Sequence, residues 1–248
     1  MASSAAADPQ EPSVTGARAP FDDADADLII RCPDGAEFWV YKSILARASP
    51  VFKEMFAFPP PPFGLQHDPS NKDYRNSVPV VDVSEDTHAM ELLLTFCYPM
   101  KAPKLKTFED IQAAAEAGKK YEMTELVQFA REALPVFAQS NAPLAYVLAC
   151  VFRWSQEARA AAKLTLREPW DAMCRPSPQL NCIDTSDYCK LQDYYSRCRR
   201  GVIAISSASL NDYCIPRSCY ACSKLRDGTP NWFRTYADAI FPALRERP

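Results

Sequence analysis

The sequence predicts an α+β protein in which a small mixed sheet, flanked by a helical cluster, precedes a mainly helical C-terminal region. Residues 27–41 have the pattern of a β-hairpin, and helical apolar faces follow it to the C-terminus. The 248 residues are 48% hydrophobic, enough to bury a sizeable core and too many for whole-chain disorder. We expect a disordered arm at 1–20, the α+β domain at 21–138 and a helical, cysteine-rich region at 139–248.

The hairpin is predicted from two apolar runs, Leu28–Ile30 and Phe38–Tyr41, on either side of Cys32-Pro33-Asp34-Gly35. Proline presets the backbone for the first central position of a turn, and glycine tolerates positive φ. Ser49 and Pro50 then provide an N-cap and a first-turn proline, which predict the start of a helix. The apolar face of this helix comprises Val51, Phe52, Met55 and Phe56.

Residues 59–77 interrupt this pattern with four consecutive prolines and a polar remainder. Such prolines favour polyproline II, so we expect an exposed spacer loop; the alternative is a proline-rich ligand for an aromatic groove. Val78–Val83 is the next predicted strand, and Pro79 indicates a sheet edge. Ser84-Glu85-Asp86 then predicts an N-cap with acidic first-turn residues, for a helix that Tyr98-Pro99 ends.

Two closing helices complete the predicted domain. Thr107 and Asp110 have the spacing of a capping box. The helix after them has a narrow face of small residues that lets another helix approach closely. That face comprises Ile111, Ala114, Ala115 and Gly118. The second helix opens at Thr124, and Pro135 is expected to end it.

In this order the residues resemble a BTB/POZ domain over Phe21–Leu134. That family has an Asp, an apolar strand, a hairpin, a second strand, His-Lys or His-Arg, and then V-L-A-x-x-S-x-x-F. The chain has Asp27-Leu28-Ile29-Ile30 and later YKSILARASPVF from Tyr41, so Tyr41 replaces the usual His. AAAEAGKKYEMTELVQFAREAL is similar to the closing pattern A-A-x-K-Y-x-M-x-x-L. The second half resembles that of the fungal BTB group.

The resemblance implies a protein-binding module that homodimerises through its first helices and strand and acts as an adaptor or scaffold. In similar BTB dimers an acid and a base line a charged pocket near the dimer interface, and the matching residues here are Asp27 and Lys42. The residues alone also allow a local role, in which Asp27 caps or orients the first strand and Lys42 is solvated, since a buried charge requires close pairing.

Some BTB proteins that bind a cullin scaffold have a hydrophobic-x-acid motif, which Phe108-Glu109-Asp110 matches. A cullin-dependent ubiquitin-ligase substrate adaptor is therefore an alternative function. It requires an exposed Phe108 that enters a pocket of the partner and an acid that faces a basic rim. In the competing interpretation, Asp110 closes the capping box and Phe108 staples the helix.

The C-terminal region is predicted to be helical at Pro143–Phe152, Gln156–Leu166 and Asp187–Ile205, with a loop at 169–186. We expect residues 206–230 to be irregular and a last helix to open at Pro230, with Trp232, Tyr236, Ile240 and Leu244 at fourfold spacing.

Seven of the ten cysteines lie from Cys174 onward. Cys214, Cys219 and Cys222, together with Cys198, could supply thiolates to a structural zinc ion in tetrahedral geometry. The fungal group that this half resembles has a His where Tyr195 stands, so a complete site would need Cys214 as the substitute ligand. Buried, unreactive cysteines are the competing interpretation.

Other function classes are poorly supported. The formal charge of −3 gives no basic footprint for nucleic acid, and no apolar run approaches the length of a membrane span. The first 20 residues lack the pattern of a secretory signal, so we expect reduced thiols and a cytoplasmic or nuclear location. No catalytic motif is present, and we predict that the protein is not an enzyme. A transcriptional regulator and a cysteine-dependent enzyme remain further alternatives, but no cysteine has an evident histidine base.

Overall fold

The structure is a computed structural model, and it describes residues 19–58, 73–75, 77–169, 177–207 and 239–240. The chain divides into two compact units, residues 1–133 and residues 134–248. Within the described ranges, no helix has both the length and the apolar character that a membrane span requires. The arm predicted at 1–20 lies outside these ranges except for Ala19 and Pro20.

The described residues of the first unit contain a four-stranded mixed sheet in the order β2-β1-β4-β3. Its strands are β1 (Leu28–Arg31), β2 (Glu37–Val40), β3 (Tyr74–Arg75) and β4 (Val78–Asp82). β1 is antiparallel to β2 and parallel to β4, whereas β3 is antiparallel to β4. The sheet is therefore mixed, and with the helices described below it confirms the predicted α+β class.

The predicted hairpin between β1 and β2 is confirmed. Gly35 has φ 84°, a conformation that glycine adopts without the clash that a Cβ would cause. Its N–H donates to the carbonyl of Cys32 over 3.0 Å, and the Cys32 N–H donates to the carbonyl of Ala36 over 2.9 Å. The turn therefore sets the register in which Arg31 lies opposite Glu37.

Two predictions about the sheet are wrong. β3 lies inside the segment predicted as a spacer loop, and Tyr74 of β3 pairs with Pro79. β4 is consequently flanked by β1 and β3, so Pro79 does not lie on an edge strand. The sheet tolerates the proline because pairing with β1 begins only at Val80, whose own N–H donates to the carbonyl of Asp73 over 2.8 Å.

Ser49 joins the first two helices, α1 (Lys42–Ala48) and α2 (Pro50–Ala57). Its Oγ accepts the Phe52 N–H over 3.2 Å and donates to the Tyr121 carbonyl over 2.6 Å. The side chain is buried, and these two bonds satisfy its hydroxyl. The predicted cap is confirmed, and it also links α2 to a distant part of the chain.

The next helix, α3 (Thr87–Cys97), begins one residue after Asp86, which is its N-cap. The predicted cap at Ser84 is wrong. Asp86 Oδ1 accepts the Ala89 N–H over 2.8 Å, while Lys120 Nζ donates to Ser84 Oγ over 2.7 Å. Ser84 is therefore held by a lysine rather than by the helix end. The predicted end of the helix at Tyr98 is confirmed.

The closing helices α4 (Phe108–Lys120) and α5 (Thr124–Ser140) make the predicted close approach. A Cβ built on Gly118 would lie 2.7 Å from Val127 Cγ2 and 3.0 Å from the Val127 nitrogen. Only a residue without a side chain fits at position 118.

The capping box at the start of α4 is also confirmed.

α5 continues through Pro135 to Ser140, so the expected end at the proline is wrong. A proline inside a helix removes one N–H donor and crowds the preceding turn. Leu134 and Ala138 are nevertheless buried on the same face, one turn apart on either side of the proline. Their burial offsets the lost hydrogen bond and keeps the chain helical.

Replacing Gly118 with Ala is expected to lower the free energy of unfolding by roughly 1–2 kcal/mol, because overpacking outweighs the better helix propensity of alanine. The matched control is Gly201→Ala in α8 (Thr185–Ser207), where a Cβ would meet nothing within 4 Å. This control should be neutral or stabilising by up to about 1 kcal/mol. Urea denaturation followed by circular dichroism measures both; equal changes would contradict the close approach.

The second unit contains the end of α5, α6 (Ala142–Val151), α7 (Ser155–Thr165), a short 3₁₀ helix (Pro178–Cys182) and α8. The predicted α6, α7 and α8 are confirmed, whereas the loop predicted at 169–186 contains the 3₁₀ helix. Tyr146 donates its hydroxyl to the Asp187 carbonyl over 2.9 Å, which ties α6 to α8. The irregular segment and most of the predicted last helix lie outside the described residues.

Candidate functional site

The helix α2 presents an apolar strip beside the core. Phe52 is fully buried and stacks on Tyr121 with ring centroids 4.4 Å apart. Because Phe52 points inward, Val51 and Met55 lie on the flank of α2 and are only half-buried. Phe58, the C-cap of α2, is 76% exposed. We call Val51, Met55 and Phe58, which have the spacing of one helix face, the α2 strip.

Asp27 orients the start of α1. Its Oδ1 accepts the backbone N–H of Lys42 over 2.7 Å, at a helix whose N-cap residue, Tyr41, makes no side-chain cap. Asp27 is exposed and Lys42 is half-buried. This contact gives Asp27 a local role at the start of α1, whereas the local role that the sequence allowed was at the first strand. The charged pocket at a dimer interface stays a prediction.

Tyr41, which replaces the usual histidine, is held by two hydrogen bonds. Its hydroxyl donates to Asp23 Oδ2, and its backbone N–H donates to the Tyr98 hydroxyl over 2.9 Å. The bond to Asp23 raises the pKa of Tyr41 to about 12. The hydrogen bond to Asp23 therefore anchors the loop before β1 to the start of α1.

Phe108 lacks the exposure that the cullin-binding interpretation requires. Phe108 is only 5% exposed and belongs to the core of the first unit. As the first residue of α4, its side chain turns inward with Ile111, one turn later on the same buried face. Glu109, the middle residue of the motif, is exposed. Phe108 cannot enter a partner's pocket without leaving its own core.

Asp110 closes the capping box of α4 and also binds a histidine. Its Oδ2 accepts the N–H groups of Lys106 and Thr107, and its Oδ1 lies 2.9 Å from His88 Nε2. Burial alone would raise the pKa of Asp110, but the donated hydrogen bonds hold it below its usual value. Both interactions occupy Asp110 within the domain, in agreement with the capping interpretation.

A buried ion pair that the sequence analysis missed crosses the sheet. Glu37 of β2 is 0% exposed, and its Oε2 accepts a hydrogen bond from Arg75 of β3. Its Oε1 is buried without a hydrogen-bond partner among the described residues. The only sequence signal is an acid inside the apolar strand Glu37–Val40, and nothing local indicates that the partner lies 38 residues later.

The BTB/POZ domain family model matches residues 21–137. These residues also have the mixed sheet, the first two helices joined at Ser49 and the paired closing helices described above. The chain contains a BTB/POZ domain. No curated protein matches the chain. A BTB domain is a protein–protein interaction module, and such modules are typically non-enzymatic.

The cysteines of the BTB domain do not resemble nucleophiles. Burial raises the pKa of both Cys32 and Cys97 to about 12, whereas a reactive cysteine needs a lowered value. Of the predicted zinc ligands, only Cys198 is described; it is a free, half-buried thiol on α8. Cys214, Cys219 and Cys222 lie outside the described residues, and the described part of the chain contains no cluster of potential metal ligands.

Proposed function

We propose that the BTB domain homodimerises and that the chain acts as an adaptor or scaffold between protein partners. The observation that carries the proposal is the α2 strip, where large apolar side chains remain partly or fully exposed. Phe58 alone leaves three quarters of its surface open to water. Exposed apolar surface of this kind is typical of association sites.

A two-fold dimer would use the same patch on both protomers, so that each α2 strip packs against its copy or a nearby surface. Burying a half-exposed Val, Met or Phe gains about 1–2 kcal/mol per side chain, and the patch contributes twice. A stable dimer interface buries about 1,600 Å² in total, so the first helices and the strand next to them would have to take part as well.

Replacing Met55 with Asp is expected to convert a dimer of twice 27.8 kDa into a monomer of 27.8 kDa. A carboxylate at this position would have to be desolvated in the interface, whereas in the free protomer it stays half in water. Light scattering after size-exclusion chromatography measures the mass. Lys53→Asp, which places the same side chain at an exposed position of α2, should remain dimeric. A monomeric wild-type chain would refute the proposal.

The cullin-adaptor function is tested by adding a cullin N-terminal region to the same measurement. A second rise in mass that Glu109→Lys abolishes would support it, because Glu109 is the exposed acidic residue between Phe108 and Asp110, the acid of the motif. Phe108→Ala is unsuitable here, since it would damage the core. If the chain is a dimer that does not bind the cullin, the cullin-adaptor function is refuted and the scaffold function is retained.

A further inference from the structure

The second half of α5 and the helix α7 enclose an apolar groove of about 540 Å³ within the second unit. Its floor consists of Leu134, Ala138 and Ala161, which are buried. Pro135 and Ala160 are exposed at its walls, and Leu164 is half-buried. The alanines of the run Glu157–Leu164 cause the groove, because small side chains at the contact leave space that a larger residue would fill.

The rim of the groove on α7 is basic. Arg159 and Lys163 lie one helical turn apart, both are exposed, and neither has an acidic partner in the described part of the chain. The acid that lines the groove, Glu157, already takes part in an interaction of its own. An apolar groove with exposed cations along one side is complementary to a ligand with an apolar stripe and acidic residues beside it.

The dimensions fit a helix. α7 has 11 residues, so it extends over about 16 Å, roughly three turns of a partner helix lying along it. An amphipathic helix places apolar residues at i, i+3, i+4 and i+7 along one stripe and can carry acids on its flank. Apolar side chains at this spacing would enter the groove, while the flanking carboxylates would form ion pairs with Arg159 and Lys163.

We infer that this groove binds an acidic amphipathic helix of a protein partner. The site lies on α5 and α7 and does not involve the α2 strip, so it does not depend on homodimerisation. It gives the second unit a role of its own: the BTB domain associates, while the groove captures a helical segment from another protein.

The test uses the full-length chain and two labelled peptides of about 18 residues, a length that supports helix formation. Both peptides carry the same leucine stripe; one has Glu on the flank and the other has Lys. Fluorescence anisotropy should show that the Glu peptide binds about tenfold more tightly. Because the chain has a formal charge of −3, general electrostatic attraction would favour the Lys peptide, so this preference must come from the local rim.

Two groove variants complete the experiment. The double variant Arg159→Glu, Lys163→Glu should reverse the charge preference, and Ala160→Leu should weaken both peptides by narrowing the trough. The matched control is Arg197→Glu, Arg199→Glu, which makes the same charge change at exposed positions of α8 and should leave binding unchanged. Thermal melts verify that each variant is folded.

Hydrogen exchange on the complex locates the contact independently. The Glu peptide should protect residues 134–139 and 155–165. Equal affinity for both peptides, or binding that the groove variants do not alter, would overturn the inference. The inference would also be overturned if, without any peptide, the groove variants had a lower mass than the wild-type chain. The groove would then be occupied by a second copy of the chain.

Discussion

Replacing Phe52 with Ala is expected to lower the free energy of unfolding by roughly 4 kcal/mol. Phe52 is fully buried and stacks between Tyr121 and Phe56, with ring centroids 4.4 Å and 5.9 Å away. Truncation removes these contacts and leaves a cavity between α2 and the end of α4. Urea denaturation followed by circular dichroism, or by tryptophan fluorescence, measures the loss.

The matched control is Phe58→Ala, six residues later in the chain. Phe58 is 76% exposed, so its truncation should change the free energy of unfolding by less than about 0.5 kcal/mol. Phe52→Leu, which keeps most of the apolar volume, should cost clearly less than Phe52→Ala. Both are measured at two protein concentrations, because dissociation of a dimer would otherwise enter the comparison. Similar losses at Phe52 and Phe58 would contradict the structure.

The features that the sequence predicts well depend on residues close together in the chain. The hairpin turn follows from Pro33 and Gly35, and the α2 cap follows from Ser49 and its neighbour Pro50. The capping box of α4 requires only Thr107 and Asp110, three residues apart. In each case a single turn of chain contains both the signal and the structure, so no tertiary information is needed.

The wrong predictions arise where distant contacts decide the outcome. Pro135 is a strong helix breaker by local rules, but the burial of Leu134 and Ala138 keeps α5 helical. Phe108 matches a short motif whose meaning depends on exposure, and exposure follows from the packing of α4 rather than from three residues. Pro79 is placed inside the sheet by β3, which local pattern does not predict.

The candidate site, too, combines features that neighbouring residues predict with features that only distant contacts decide. The sequence identifies Val51 and Met55 as members of an apolar face, but it cannot separate them from Phe52, which only the packing on Tyr121 turns inward. Asp27 is recognised by its place before β1, yet its bond to the Lys42 N–H is a tertiary contact across 15 residues. The sequence indicates the groove only as an alanine-rich run on α7, because the other wall is the part of α5 that continues past Pro135.

Replacing Arg75 with Met is expected to lower the free energy of unfolding by roughly 3 kcal/mol, because it leaves a buried carboxylate without its partner. Glu37 is 0% exposed, one of its oxygens has no hydrogen-bond partner among the described residues, and Arg75 makes the ion pair with the other oxygen. The Arg75 side chain is itself 38% exposed, so the loss of its own packing contacts should lower the stability little. The cost therefore comes from Glu37, and urea denaturation of the variant measures it.

Two further variants separate this effect from a general loss of charge. Adding Glu37→Gln to Arg75→Met should recover at least half of the lost stability, because a buried neutral amide is less costly than a buried carboxylate. Asp82→Asn breaks the pair with Arg31 in the same sheet, where the aspartate side chain is 67% exposed. That change should cost about 1 kcal/mol or less, since exposed pairs contribute little. If Asp82→Asn costs as much as Arg75→Met, or if Glu37→Gln restores nothing, the buried charge is not what makes Arg75 necessary.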